Sequence, residues 1–159
     1  MNITIRPADD KDYEVFETLF ALLNELHAVE YPGIFQSTSG PIHRRDYFSG
    51  LIADPNSALF IAEWDGQPAG FILLYLRDTG EVPVMRPRKY VAVDSLYVHA
   101  HLRQHGLGEM LMLSAEEWAL ENGADSLMLN VYGFNTAARG LYEKLGYQTI
   151  SHKMLKWLG

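Results

Sequence analysis

The period of apolar and polar positions changes several times along the chain. Ile3 and Ile5 alternate with polar neighbours up to Arg6-Pro7, the pattern of a short strand. From Tyr13 to Val29 the apolar residues Val15, Phe16, Leu19, Phe20, Leu22, Leu23 and Leu26 recur at three- and four-residue spacing, which predicts a helix. Asp9 and Asp10 suit its start, where carboxylates meet the positive end of the helix dipole, and Pro32-Gly33 ends it. Ser37 to Pro41 reads as loop, and a second helix is predicted over His43 to Ala53, closed by Asp54-Pro55. Ala58–Trp64 and Pro68–Leu76 are apolar runs joined by Asp65-Gly66, a strong signal for an antiparallel hairpin. Gly80, Pro83 and Pro87 break the stretch from Arg77 to Lys89 into an irregular connection.

A Val- and Tyr-rich strand is predicted over Tyr90 to Val98, followed by the glycine-punctuated stretch Leu102 to Gly108. Met110 to Glu121 carries Met110, Leu111, Ser114, Ala115 and Trp118 on one helical face and stops at Asn122-Gly123. Leu127–Val131 reads as a strand, Asn135–Leu145 as a helix stopped by Gly146, and Gln148–Trp157 as a final strand. The expected order is β-α-α-β-β-β-α-β-α-β, one mixed α/β domain over residues 1–159. Strand 90–98, helix 109–121 and strand 127–131 form a β-α-β unit, so the two strands should be parallel and the crossover right-handed.

Composition narrows the function classes. The 159 residues are 48% hydrophobic and 21% charged, the balance of a folded globular chain. There is no cysteine, which removes disulfides, zinc–thiolate sites and thiol nucleophiles. Thirteen Lys and Arg against 20 Asp and Glu leave a net charge of −7, which speaks against nucleic acid or an anionic membrane as partner. No apolar run approaches the ~20 residues of a membrane span, and MNITIRPADD lacks a signal-peptide core, so a cytoplasmic location is expected. His99, His101 and His105 lie near one another in sequence, but no zinc-type spacing supports them, and no metal is expected. Ser114 lacks the Gly-x-Ser-x-Gly setting of a hydrolase nucleophile.

Two segments carry the chemistry. In the first, a strand enters Arg103-Gln104-His105-Gly106-Leu107-Gly108 and passes directly into a helix. Glycines there let backbone approach a ligand, and the unpaired N–H groups of the helix start favour an anion such as phosphate or pyrophosphate. A plain glycine-rich helix entry is the alternative at this point. The Walker pattern is absent, and the dinucleotide fingerprint lacks its third glycine because position 111 is Leu. In the second segment, strand 127–131 is followed by Asn135-Thr136-Ala137-Ala138, by Tyr142 seven residues after the Asn, and by Leu145-Gly146-Tyr147.

On these elements and at this separation, the two segments resemble the acetyl-CoA-binding core of the GNAT superfamily of N-acetyltransferases, specifically over residues 90–147. The resemblance implies a GNAT fold: a mixed, mostly antiparallel sheet with a central splayed parallel strand pair and helices on both faces. It implies that Leu96, Tyr97 and Val98 pair with the pantetheine arm as though it were an added strand. Arg103, Gln104, His105, Gly106, Leu107 and Gly108 would form the pyrophosphate loop. Asn135 would contact the pantetheine or adenylate side, and Tyr142 would act as general acid on the leaving thiolate. Asp94 stands where some relatives carry a strand carboxylate that serves as base, and Asp is short enough to require a water relay. Glu63 and His99 are reserve candidates for that base.

The implied function is acetyl transfer from acetyl-CoA directly to a primary amine of a small molecule or a protein, without metal or acyl-enzyme. The family often forms dimers, so a homodimer is among the expectations. Tyr31 and Phe35, with His27 and Glu30, fall between the first two helices, where this superfamily covers its acceptor; they contact an apolar acceptor or pack the core. Arg44-Arg45 and Arg86 to Lys89 read first as a solvated face, with steering of an anionic substrate or of the cofactor's 3′-phosphate as the alternative. Two other classes stay in view: a CoA-holding module without turnover, and an ATP- or NAD-binding protein using the same glycine loop.

Overall fold

The computed structural model describes residues 1–159. Its strands are β1 (Ile3–Pro7), β2 (Ser57–Trp64), β3 (Gln67–Asp78), β4 (Lys89–Val98) and β5 (Ser126–Leu129), joined in one sheet in that order. The pairs from β1 to β4 are antiparallel, and β4–β5 is parallel. The helices are α1 (Tyr13–Glu30), α2 (Arg45–Ala53), α3 (Leu107–Glu121) and α4 (Thr136–Lys144). Asp65 and Gly66 both take left-handed φ values, +48° and +80°, the conformation a two-residue hairpin turn requires.

Alternation along the strands separates two cores on opposite faces of the sheet. Ile72 and Leu74 of β3 pack with Leu107, Leu111, Met112 and Ala115 of α3 and with Tyr142 of α4. Phe71 and Leu73 of the same strand pack with Tyr13, Phe16, Leu19 and Leu23 of α1 and Phe48 and Leu51 of α2. The central strand is thus buried on both sides, which is why Ala69–Leu74 reads as a continuous apolar run rather than an alternating one. A partly buried ion network ties β1 to the turn before α1. Arg6 donates to both oxygens of Asp12, at 2.8 and 2.9 Å, and through Nε to Glu63 at 2.7 Å.

Three expectations change. Helix α3 starts at Leu107, inside the glycine stretch, because Gly106 adopts φ +90° and turns the chain into the helix there. Strand β5 ends at Leu129, where β4 stops pairing with it. The final strand over Gln148–Trp157 does not form. From Tyr147 onward the chain makes neither turn nor bend, but residues 148–159 are all exposed and bond to no other strand. The residue pattern there suits a strand; a strand also needs a partner, and within one copy it has none.

Candidate active site

The site begins where β4 and β5 part. Their last paired residues are Val93 and Leu129, yet β4 continues to Val98, so its later half has a free edge. The backbone direction of that edge follows from its other side. His99 N–H donates to the Ala69 carbonyl of β3 at 2.9 Å, and the Tyr97 carbonyl presses on Gly70. Consecutive residues of a strand point their polar groups to opposite edges, so the amides of Leu96 and Val98 point to the open side. A bulge precedes them: Ser95 pairs with Leu73 and Val93 with Leu74, leaving Asp94 without a partner on β3. The bulge shifts the alternation, so that Val91 and Val93, then Leu96 and Val98, all face α3 while Tyr97 faces α1.

At the end of β4 the chain runs through a short 3-10 turn, Ala100–Leu102, into the loop before α3. Gln104 and Gly106 both have positive φ, +64° and +90°. Alternation of φ sign along a loop can turn successive N–H groups toward one side, the geometry an anion-binding nest requires. The backbone amides of Gln104 to Glu109 find no acceptor in the chain; the first helix bond in this region is Met110 N–H to Gly106 at 3.0 Å. No side chain caps this end of α3. Residues Arg103 to Gly106 are exposed, Leu107 is buried in the core, and Gly108 packs α3 against Leu141 of α4. Arg103 turns back, donating from Nε to the Val98 carbonyl at 3.0 Å and lying 5.6 Å from the Tyr97 ring. His105 meets the Trp64 ring edge to face.

On the same face, Asn135 caps α4, its Oδ1 accepting the Ala138 N–H at 3.1 Å, which leaves its amide NH2 free of any protein partner. Tyr142 is only 9% exposed, and its hydroxyl bonds to no protein group. Burial pushes its phenol up to about 12. Tyr147 lies beside it, ring centroids 5.9 Å apart, and its buried hydroxyl has no hydrogen-bond partner at all. Sequence reasoning used Tyr147 only as part of the Leu-Gly-Tyr signature; its orphaned hydroxyl is visible only in the packing.

The opposite face carries the other candidates. Asp94 is exposed, accepts the Ser95 hydroxyl at 2.8 Å, and lies close enough to Tyr75 for its charge to help keep that phenol protonated, after burial and the 3.0 Å bond to Tyr47. Tyr75 packs with the α1 core, so Asp94 and Tyr142 stand on opposite faces of the sheet. His99 lines a shallow hollow with Glu14, Val15, Thr18, Leu19 and Pro68; burial, then His101 and Arg103, lower its pKa. Glu63 is committed to Arg6 and Thr4 at the β1–β2 end of the sheet, which removes it as a reserve base. Arg44, Arg45 and Arg88 pair with Asp46, Glu14 and Asp125.

His27, Tyr31 and Phe35 form an aromatic cluster with Tyr132 and Phe134, which follow β5, with ring centroids 5.1 to 5.9 Å apart. Burial lowers the His27 pKa, keeping the imidazole neutral among the rings. Sequence reasoning missed Tyr132 and Phe134, although two aromatics flanking Gly133 at a strand exit were a usable signal. No three His, Asp or Glu side chains gather where they would hold a metal ion.

Comparison with known proteins bears on this geometry. A model of the acetyltransferase (GNAT) family matches residues 20–147. The uncharacterized N-acetyltransferase YhfO of Bacillus subtilis is 30% identical over 146 residues, covering 92% of this chain and 90% of the relative. The crystal structure of a mutant BH1408 protein from Bacillus halodurans superposes with a TM-score of 0.90 at 25% identity, over 98% of this chain and 99% of that one. The structure of AAC(6')-Iy in complex with a CoA-containing bisubstrate analog shares the fold, with a TM-score of 0.76 at 19% identity over 100% of this chain and 99% of that one.

Proposed function

We propose a donor site, an acceptor side and a route for the acetyl group in a chain that belongs to the acetyltransferase (GNAT) family and is an N-acetyltransferase. The family uses acetyl-CoA, which supplies an activated acetyl group and a thiol leaving group. The observation that carries the proposal is the parting of β4 from β5 after Val93 and Leu129, with the unpaired amides of Gln104 to Glu109 at the same end. These features fit the donor. A diphosphate matches a nest at a helix start, and an extended arm bearing amides matches a strand edge that lacks its partner. A buried phenol without a protein partner matches the sulfur end.

In this reading Leu96 and Val98 hold the pantetheine arm through their backbone groups, and one of their N–H groups polarises the thioester carbonyl. Tyr97 anchors β4 to the opposite core, and Arg103 holds the Val98 carbonyl until the arm takes its place. Gln104, His105, Gly106, Leu107 and Gly108 bind the diphosphate, while Asn135 offers its free amide NH2 to the arm. The acceptor amine approaches from the α1 face, past the aromatic cluster. Asp94, through a water, takes a proton from the attacking nitrogen, and Tyr142 on the other face donates a hydrogen bond to the sulfur as the carbon–sulfur bond breaks. The proton lost by nitrogen leaves through the water and Asp94 to solvent, and the thiolate released under the Tyr142 hydrogen bond takes a proton from solvent, so the products are an N-acetyl amide and free CoA.

A phenol near 12 is a weaker acid than a thiol of ordinary pKa about 8.5, so Tyr142 stabilises the developing thiolate chiefly as a donor rather than by complete proton transfer. The acceptor is a primary amine of a small molecule or of a protein. Thiol release from acetyl-CoA across a panel of polyamines, amino acids, aminoglycosides and lysine peptides tests the reading. Release that depends on one amine class supports it. A folded protein that binds acetyl-CoA but releases no thiol with any amine would make it a CoA-holding module instead.

A further inference from the structure

We infer, resting on the transfer route proposed above, that this chain carries an acceptor of its own: Lys156, on the arm formed by residues 148–159, is a site of self-acetylation from acetyl-CoA. Two contacts bracket the route. The arm leaves from Tyr147, whose ring lies 5.9 Å from that of Tyr142, the phenol assigned to the sulfur. It touches the body again at Trp157, whose ring lies 2.9 Å from where a Cβ on Gly33 would stand. Gly33 is inside the turn after α1 that the N–H groups of Ile34 and Phe35 close on the Tyr31 carbonyl, at 3.0 and 2.9 Å. Tyr31 and Phe35 belong to the aromatic cluster with Tyr132 and Phe134, on the side assigned to the acceptor. The arm thus runs from the sulfur side to the acceptor side, and Lys156 adjoins the residue that makes contact there.

Lys156 is also the amine best placed to move. It is exposed, and no backbone group of its arm bonds to the rest of the chain. Lys144 is committed to Glu109 at 2.8 Å, whereas Lys11 and Lys89 stand in the 3-10 turn before α1 and in the paired strand β4. The arm contains none of the 20 carboxylates, so nothing on it competes for the charge of its lysines. A tethered amine meets the thioester at an effective concentration of about millimolar, provided the tether can span the distance. In the transfer, Lys156 Nζ bonds to the acetyl carbon as the carbon–sulfur bond breaks. The ammonium gives up two protons to solvent and the CoA thiolate takes one back. The products are N-acetylated Lys156 and CoA, and the arm loses one positive charge.

The test incubates the full chain with acetyl-CoA and no other amine, and follows each lysine by peptide mass spectrometry. Lys156 should gain one acetyl group well before Lys11, Lys89 and Lys144, with a half-time that does not change when the protein is diluted. Tyr142→Phe should slow the modification about 10²-fold, as it slows transfer to a free amine. Trp157→Ala releases the arm from Gly33 and should slow acetylation of Lys156 about tenfold, while thiol release with a free amine continues. Thiol release with free amines from a protein whose Lys156 stays unmodified would overturn the self-acetylation alone and leave the acetyltransferase reading standing. Acetylation spread evenly over the lysines and unchanged in Tyr142→Phe is chemical reaction with the thioester, and it too would overturn the proposal. So would a rate that rises with protein concentration, because the acceptor would then be another copy's arm. A folded protein that neither modifies Lys156 nor releases thiol with any amine would remove both readings together.

Discussion

Burial acts on single residues in this protein in ways that a pH meter can read. Burial pushes the Tyr142 phenol up to about 12, so in the proposed mechanism the sulfur would face a neutral donor across the whole working range. Its kcat should show no falling limb between about pH 8 and 10.5 from this group. Tyr142→Phe should lower kcat by about 10²-fold and leave acetyl-CoA affinity nearly unchanged. A limb near pH 9 that the variant abolishes would remove this role. Asp12 is a second case. The Arg6 guanidinium holds its carboxyl below the usual 3.8, against the opposing cost of burial. Its stabilisation is therefore present above the unfolded value and lost as pH falls through the lower folded one. Arg6→Ala should cost about 2–3 kcal/mol in urea unfolding at pH 7, discounted for the partial exposure of Arg6. The difference from the parent should shrink under strong acid; a gap that stays constant to pH 2 would contradict the pairing.

Elements differ in how far their own residues determine them. The stripe from Val15 to Leu26 forms α1, and the Asp65-Gly66 turn forms the hairpin, because periodicity and turn chemistry are local. The candidate loop was legible for the same reason: Gly106 and the residues around it carry their conformational requirements with them. The bulge at Asp94 was not legible, since it exists only as a mismatch between β3 and β4. Residues Gln148–Trp157 carry strand residues and find no strand, because pairing is a property of two segments. Tyr132 and Phe134 were missed because their contacts with His27 and Tyr31 join parts of the chain about a hundred residues apart. The close approach of β3 to β4 gives an element-scale prediction. A Cβ on Gly70 would meet the Tyr97 backbone carbonyl, which cannot give way as a side chain can. Gly70→Ala should destabilise by about 1–3 kcal/mol and weaken acetyl-CoA binding by displacing β4. Gly50→Ala, in open space on α2, should be neutral or stabilising. Equal thermal shifts for the two variants would contradict the assigned contact.

The whole molecule is a sheet with two independent cores, and the parted strands are the passage between its faces. Tyr142 and Leu107, at the end of the proposed diphosphate loop, pack in the α3–α4 core; Asp94 lies near Tyr75 on the α1–α2 side, and the aromatic cluster gathers around His27 and Tyr31 at the end of α1. On the proposed reading, donor and acceptor need not compete for one pocket, and acceptor choice would fall to residues amino-terminal to β4 or in the 132–134 turn. The donor motifs were readable and the acceptor class was not, because the loop and the Asn135–Tyr142 segment carry their requirements locally, whereas the aromatic cluster is assembled from residues far apart in the chain. The most direct test is a calorimetric titration of the protein with acetyl-CoA, with ATP as comparison and Gly108→Trp as control. Gly108 sits where the start of α3 meets Leu141 of α4, next to the proposed diphosphate loop, and a tryptophan there must displace that contact and shift the helix start that the loop runs into. The account predicts micromolar binding of acetyl-CoA, none of comparable strength for ATP, and loss of the acetyl-CoA signal in a Gly108→Trp variant that is still folded. Absence of binding to the folded parent protein, or undiminished binding to that variant, would contradict it.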